Sequence, residues 1–205
     1  MRATRILLLV MAWVLLLSTG CRKNAVDTMA FKSALNSYYA GKQNCLFTTP
    51  IKFPAQADTS KDEDTKSYDA LTDAGLLTRT PEEKKRFLIG SKQVNDYDLS
   101  DRGRASWTAD PSQPGYGNFC YAHPEVMAID SFTAADDTAT RYNVTYHYHA
   151  ANPSDWANSP EMKTAFPKLA ADMSGQQVAT AVMVKTESSW QVQSVQAAPL
   201  PANTM

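Results

Sequence analysis

Thr140-Arg-Tyr-Asn-Val-Thr-Tyr-His-Tyr-His-Ala150 alternates without a break. In an extended chain successive side chains point to opposite faces, so Tyr142, Val144, Tyr146 and Tyr148 share one face. Arg141, Asn143, Thr145, His147 and His149 share the other. A polar face opposite an aromatic one is the pattern of an antiparallel strand with one side on a core. Working outward, Ala134-Ala-Asp-Asp-Thr138 turns the chain back onto a strand over 125–132, and a short strand over 118–121 precedes it. Downstream, Val178 to Val184 is apolar on both faces and reads as a central strand. Glu187-Ser-Ser189 then turns into a last strand, Trp190 to Val195. Between these strands lies a helical excursion. Ser159-Pro160-Glu161 is a helix start with proline in the first turn, and Phe166-Pro167 interrupts the run before Lys168 to Met173. Residues 115–197 are therefore expected to form an antiparallel sheet with helices on one face, making the chain α+β.

The preceding residues, 21–110, read as more helical. Asp27 or Thr28 can cap a helix running to Ala40, with Phe31, Leu35 and Tyr38 as its apolar stripe and Gly41 as its stop. Cys45 to Phe53 reads as extended and interrupted at Pro50, and Gln56 to Asp64 as a solvated run. A second helix is expected over 62–74, burying Tyr68 and Leu71 and ending at Gly75. Short strands over 85–89 and 93–99 flank a Gly90-Ser-Lys92 turn. Ser100 and Asp101 then cap a short helical turn ending near Trp107. Thr108 to Gly117 holds Pro111, Pro114, Gly115 and Gly117 and marks a boundary. Residues 198–205 are a flexible tail.

Tyr68-Asp-Ala-Leu-Thr-Asp-Ala-Gly-Leu-Leu-Thr-Arg79, followed by Tyr97-Asp-Leu-Ser-Asp-Arg-Gly-Arg104, resembles the spine of a winged helix. The resemblance implies a helix ending in an Ala-Gly-Leu-Leu step and a β-wing behind it. Many members of that family bind DNA, but the recognition-helix position here carries Asp62, Glu63, Asp64, Asp69 and Asp73 against Lys61 and Lys66. Phosphate would repel it, so no nucleic-acid partner is expected. The element order of the sheet part is similar to cystatin-like and nuclear-transport-factor-like shapes.

At the start of the chain, Arg2 and Arg5 precede an apolar run from Ile6 to Leu17, closed by Ser18-Thr19-Gly20-Cys21. Twelve apolar residues rise only about 18 Å as a helix, too short for a hydrocarbon core of about 30 Å. Residues 1–20 therefore read as an export leader. Their closing residues resemble a bacterial lipobox, with Ser18 where leucine is most frequent, and this implies lipidation of Cys21. The leader, with the Phe-Cys-Tyr strand and the Trp…Phe-Pro helix, resembles uncharacterised proteobacterial lipoproteins. Arg22 after the lipidated position, in place of Asp, implies an outer-membrane destination facing the periplasm.

Removing the leader takes away two arginines and no acid, leaving 18 Lys+Arg against 21 Asp+Glu, a formal charge of −3. So balanced a chain has no broad attraction for nucleic acid or anionic lipid, and attachment to a membrane would come from acyl chains on Cys21. Cys45 and Cys120 remain, and in an oxidising compartment they are expected to form a disulfide. Neither sits in a cysteine-hydrolase or Cys-x-x-Cys signature, so His123 is not expected to act as base to a Cys120 nucleophile. His147 and His149 project from one strand face and could begin a zinc or copper site with His123. No carboxylate or cysteine at a supporting spacing completes one, so no metal is expected. The pairs Asp62/Asp64, Asp96/Asp98 and Asp136/Asp137 lack the oxygen register of a calcium loop. There is no nucleophile elbow and no phosphate loop. Neither catalytic residue nor cofactor is expected. The sequence points to a membrane-tethered interaction or structural module with an envelope protein partner, in which the disulfide holds the helical half against the sheet. The alternative is a small-ligand binder using Tyr142, Tyr146, His147 and His149.

Overall fold

The computed structural model describes residues 28–85 and 91–197. The leader, Cys21 and the tail 198–205 lie outside the described residues. The fold is α+β, an antiparallel sheet curled into a half-barrel beside a smaller three-stranded sheet. Helix α1 (Thr28–Tyr39) opens it, and the short strands β1 (Asn44–Cys45), β2 (Ile51–Lys52) and β3 (Ala55–Asp58) follow. Then come α2 (Asp62–Asp73), β4 (Leu77–Lys85), β5 (Ser91–Leu99), α3 (Asp101–Ser106) and β6 (Trp107–Ala109). The long strands β7 (Tyr116–Ala134) and β8 (Arg141–Ala151) lead to a 3₁₀ turn (Asp155–Asn158), α4 (Pro160–Ala165) and α5 (Pro167–Asp172). Strands β9 (Gln177–Lys185) and β10 (Trp190–Ala197) close the order. The main sheet runs β1-β7-β8-β9-β10, with β2 and β6 also on β7; the small sheet runs β3-β5-β4.

The expected helical, winged-helix-like first part is not what forms. Of its helices, α1 packs on β7 and β10 of the main sheet. Only α2 and the six-residue α3 flank the β4–β5 hairpin. The chemistry of the quoted motif is packing. Gly75 ends α2 at φ +73°, and Ser100 Oγ donates to its carbonyl at 2.6 Å while accepting from Gly103 N at 2.8 Å. A Cβ on Gly103 would lie 1.9 Å from the Leu76 carbonyl oxygen, so α3 can approach the Leu76 backbone this closely only with glycine there. Strand β4 starts at Leu77 and runs through Pro81 to Lys85, whereas the sequence reads as strand only from 85; the rest of the strand expected at 85–89, and Gly90 of the expected turn, lie outside the described residues. It is an edge strand, where the missing proline N–H costs no ladder bond. The solvated run at 56–64 likewise contains β3, with Ala57 buried.

Strand β7 is one strand where the sequence reads as two. Its 19 residues carry three bulges, with Tyr121, Met127 and Asp130 as the extra residues. Each bulge shifts the side-chain phase by one. Phe119, Ala122, Val126, Ile129 and Phe132 consequently all face the concave side, although they do not alternate in sequence. Two apolar cores line that side. One gathers Phe53, Leu71, Leu76, Tyr97, Phe119 and Trp156, with the α4–α5 residues Met162, Phe166 and Leu169. The other sets Phe31 and Leu35 of α1 against Val126, Tyr142, Val144, Tyr146, Ala181 and Met183. The Phe31 ring lies 4.9 Å from Trp190, 5.5 Å from Tyr142 and 5.6 Å from Phe132.

The Cys45–Cys120 disulfide is formed between directly opposed residues of β1 and β7. It fastens the edge strand to the sheet. It does not tether a separate helical half. The two cysteines lie 75 residues apart in the chain, so its reduction should cost about 4 kcal/mol by loop entropy. Urea unfolding with and without reductant measures this; coincident curves would contradict it. Phe31 is fully buried among three rings, and Phe31→Ala should destabilise the oxidised chain by about 3–5 kcal/mol in the same assay.

Candidate functional site

Strand β8 presents its two faces to different surroundings. Tyr142 and Tyr146 point into the concave core beneath α1, at 8% and 0% exposure. His147 and His149 point to the convex face, opposite Ala128 and Glu125 of β7. The four residues of the expected ligand site thus divide two and two across the sheet.

On the convex face His147 Nδ1 lies 2.6 Å from Asp130 Oδ2, both groups about one-third exposed. Asp130 reaches it because it is the extra residue of the third bulge. His149 Nδ1 is buried without a hydrogen-bond partner, although its cross-strand neighbour is Glu125. His123 pairs with Ala151 two residues further along β7. Among the described residues no three His, Cys, Asp or Glu converge in a way that could hold a metal ion. Asp130 and Glu125 were hidden from sequence reasoning because two bulges set which β7 residues oppose the histidines.

On the concave side a polar seam runs between the two cores. Asp172 Oδ2, near the end of α5, accepts from Asn44 Nδ2 at 2.8 Å, Tyr121 OH at 2.5 Å and Lys168 Nζ at 2.5 Å. Tyr39, at the end of α1, shares a 2.7 Å hydrogen bond with the Tyr146 hydroxyl and stacks on Tyr148 at 6.0 Å. Burial pushes the phenols of Tyr39, Tyr121, Tyr146 and Tyr148 up. The Asp172 carboxylate adds to the rise at Tyr121, and Tyr39 to that at Tyr146. Protonated, Tyr121 donates to Asp172 of α5 and the Tyr39–Tyr146 pair ties α1 to β8, while the Asn44 amide ties β1 to the same Asp172 oxygen.

A further concavity lies elsewhere, between α1 and the β9–β10 hairpin. It is a groove of about 780 Å³, lined on the α1 side by the small residues Ala30, Ser33, Ala34 and Ser37 with Tyr38 at one end, and on the strand side by Trp190 and Val192 with the hairpin turn carrying Lys185 and Glu187. The small α1 residues recur at helical spacing, so they form the flank of α1 next to its buried stripe. None extends beyond a hydroxymethyl group. The groove runs beside β10, the terminal strand of the main sheet, whose outer edge is unpaired among the described residues. Sequence reading had singled out neither the α1 flank nor this edge; the spacing Ala30, Ser33, Ala34, Ser37 was the available signal.

No protein family, curated protein or solved structure matches the chain.

The raised phenol values carry a pH consequence. A group whose value is raised on folding gives stability that is present below its unfolded value and lost above it. The ordinary phenol value is 10.0, so stability should decline as pH rises past it. The phenolate absorbance of Tyr39, Tyr121, Tyr146 and Tyr148 should appear together with loss of far-UV circular dichroism. Full tyrosine titration near pH 10 with the fold intact would contradict the seam.

Proposed function

We propose that the protein is an exported lipoprotein, lipidated at Cys21 and anchored on the periplasmic side of an outer membrane. Its folded part acts by contact with envelope protein and not by chemistry. The observation that carries the contact reading is the α1–β10 groove beside an unpaired strand edge. Such an edge offers a row of backbone donors and acceptors to another extended chain, and the groove offers space for that chain's side chains. The formed Cys45–Cys120 disulfide supports an oxidising compartment. The leader with its Cys21 supports the anchor, and the near balance of charge leaves attachment to acyl chains. None of the described helices is long and apolar enough to cross a membrane.

A second reading is favoured by one observation, the unpartnered buried Nδ1 of His149 beside the His147–Asp130 pair. In it, a small polar ligand is taken on the convex face, with His147 and His149 as anchors. Tyr142 and Tyr146 then serve the core.

The anchoring test is fractionation of the full chain and of Cys21→Ser. The wild type should pellet with membranes and release on detergent, while Cys21→Ser should appear in the soluble periplasmic fraction. Identical fractionation of the two would sink the lipid anchor.

A further inference from the structure

We propose that β10 pairs antiparallel with β10 of a second copy, extending the main sheet across a two-fold axis. The proposal rests on the contact reading above and names the partner of that surface.

Strand β10 reads Trp190-Gln-Val-Gln-Ser-Val-Gln-Ala197, without a charged residue or a proline. Edges that must stay single are usually blunted by such residues, by shortness or by a bulge. Here eight residues, about 27 Å of strand, end the sheet with a bulge as the only such device. At the opposite edge β1 covers only Cys120 and Ala122 of β7 and is fastened there by the disulfide. Beyond it, α1 side chains meet the β7 backbone, Asn36 Oδ1 accepting from Val126 N and Lys32 Nζ donating to the Met127 carbonyl.

The second copy is indicated by the self-complementarity of the strand. Gln191-Val192 and Val195-Gln196 mirror each other about the midpoint between Gln193 and Ser194. A two-fold axis there sets Val192 against Val195, Gln191 against Gln196 and Trp190 against Ala197. An isologous contact also requires that the opposed residues lie on one face. In a regular strand, partners three or five apart point to opposite faces, and such a pairing is forbidden. The bulge removes the conflict. Gln193 is the extra residue between Val192 and Ser194, so Trp190, Val192, Val195 and Ala197 all face the concave side. Gln191 and Gln196 both face the convex side. The bulge that would otherwise protect the edge is what brings its two halves into phase.

The groove fits the same geometry. The concave-facing valines of an added strand would lodge beside α1, where Ala30, Ser33, Ala34 and Ser37 leave space. The two-fold axis would bring a second α1 to face the first across these small, uncharged side chains. No like charges meet at β10 or on this flank of α1.

The test is the mass of the full lipidated chain in mild detergent across a concentration series, by sedimentation equilibrium. A monomer–dimer equilibrium is expected. Ser194→Lys and Gln193→Lys set two cations beside the axis and should each weaken it about tenfold or more. Met127→Lys, on the exposed convex face, should leave it unchanged, and circular dichroism checks that each variant folds. A chain monomeric up to about 0.1 mM overturns the pairing, whether a different envelope protein or the chain's own ends cover the edge. A dimer indifferent to both β10 lysines, or lost in Met127→Lys, overturns it equally. Membrane fractionation of the same wild-type preparation reports the anchor separately, so either proposal can fail alone.

Discussion

Strand β7 touches β1, β2, β6 and β8 along its length, and three local insertions govern how it does so. A regular strand of 19 residues would send every second side chain to each face along its whole length. Val126 and Ile129 would then oppose each other across the sheet, and no single apolar surface could form. The extra residues Tyr121, Met127 and Asp130 reset the phase each time, so the concave face stays apolar from Phe119 to Phe132. Bulges also increase local twist, which curls the sheet. A curled sheet offers a hollow on which α1 can lie and into which α4 and α5 can press. The fold depends on this one strand being irregular in three places.

The hollow leaves a seam where the two cores meet, and polar groups fill it. Tyr121 is 1% exposed and Tyr146 0% exposed, so each hydroxyl needs a partner on the protein. Asp172 serves the first and Tyr39 the second. The partners come from α5 and α1, elements far apart in sequence. Apolar contact alone would let a helix slide on such a surface; a paired hydroxyl fixes its position. Asn44 joins the same Asp172 oxygen and so ties β1, and with it the disulfide, to the end of α5.

Much of the chain was legible because its signals are local. Ser100 and Ser159 each accept from the backbone N–H three residues on, as capping residues should. The alternation of β8 and β9 and the turn at Glu187 to Ser189 appear where period and turn chemistry put them. What was not legible is non-local. Tyr121, Met127 and Asp130 carry no mark of a bulge, since only pairing with another strand makes a residue extra. Phe31 and Leu35 of the α1 stripe were readable, but Tyr39 and not the expected Tyr38 packs on that core, and which sheet the stripe covers was not readable. Pro81 lies inside a strand because β4 is an edge, and edge position is not written in the local sequence. The histidines were readable as neighbours on one face, whereas the Asp130 carboxylate that meets His147 arrives through a register shift.

The two ends of the main sheet are covered differently. On the far side of β7, the disulfide fastens β1 over Cys120 and Ala122, and Asn36 and Lys32 of α1 hydrogen-bond the Val126 and Met127 backbone. At β10 eight uncharged residues end the sheet, and the nearest cover is an α1 flank of alanines and serines. A strand in the second condition is a liability in a freely diffusing protein, because any extended segment can add to it. Confinement changes the balance. If Cys21 carries the proposed anchor, each copy meets its neighbours on a surface, and a modest edge affinity suffices because tethering raises the local concentration. The same tether separates the edge from chains elsewhere in the cell. An open, weakly defended strand is then compatible with a well-behaved protein, provided that the anchor and the edge act together.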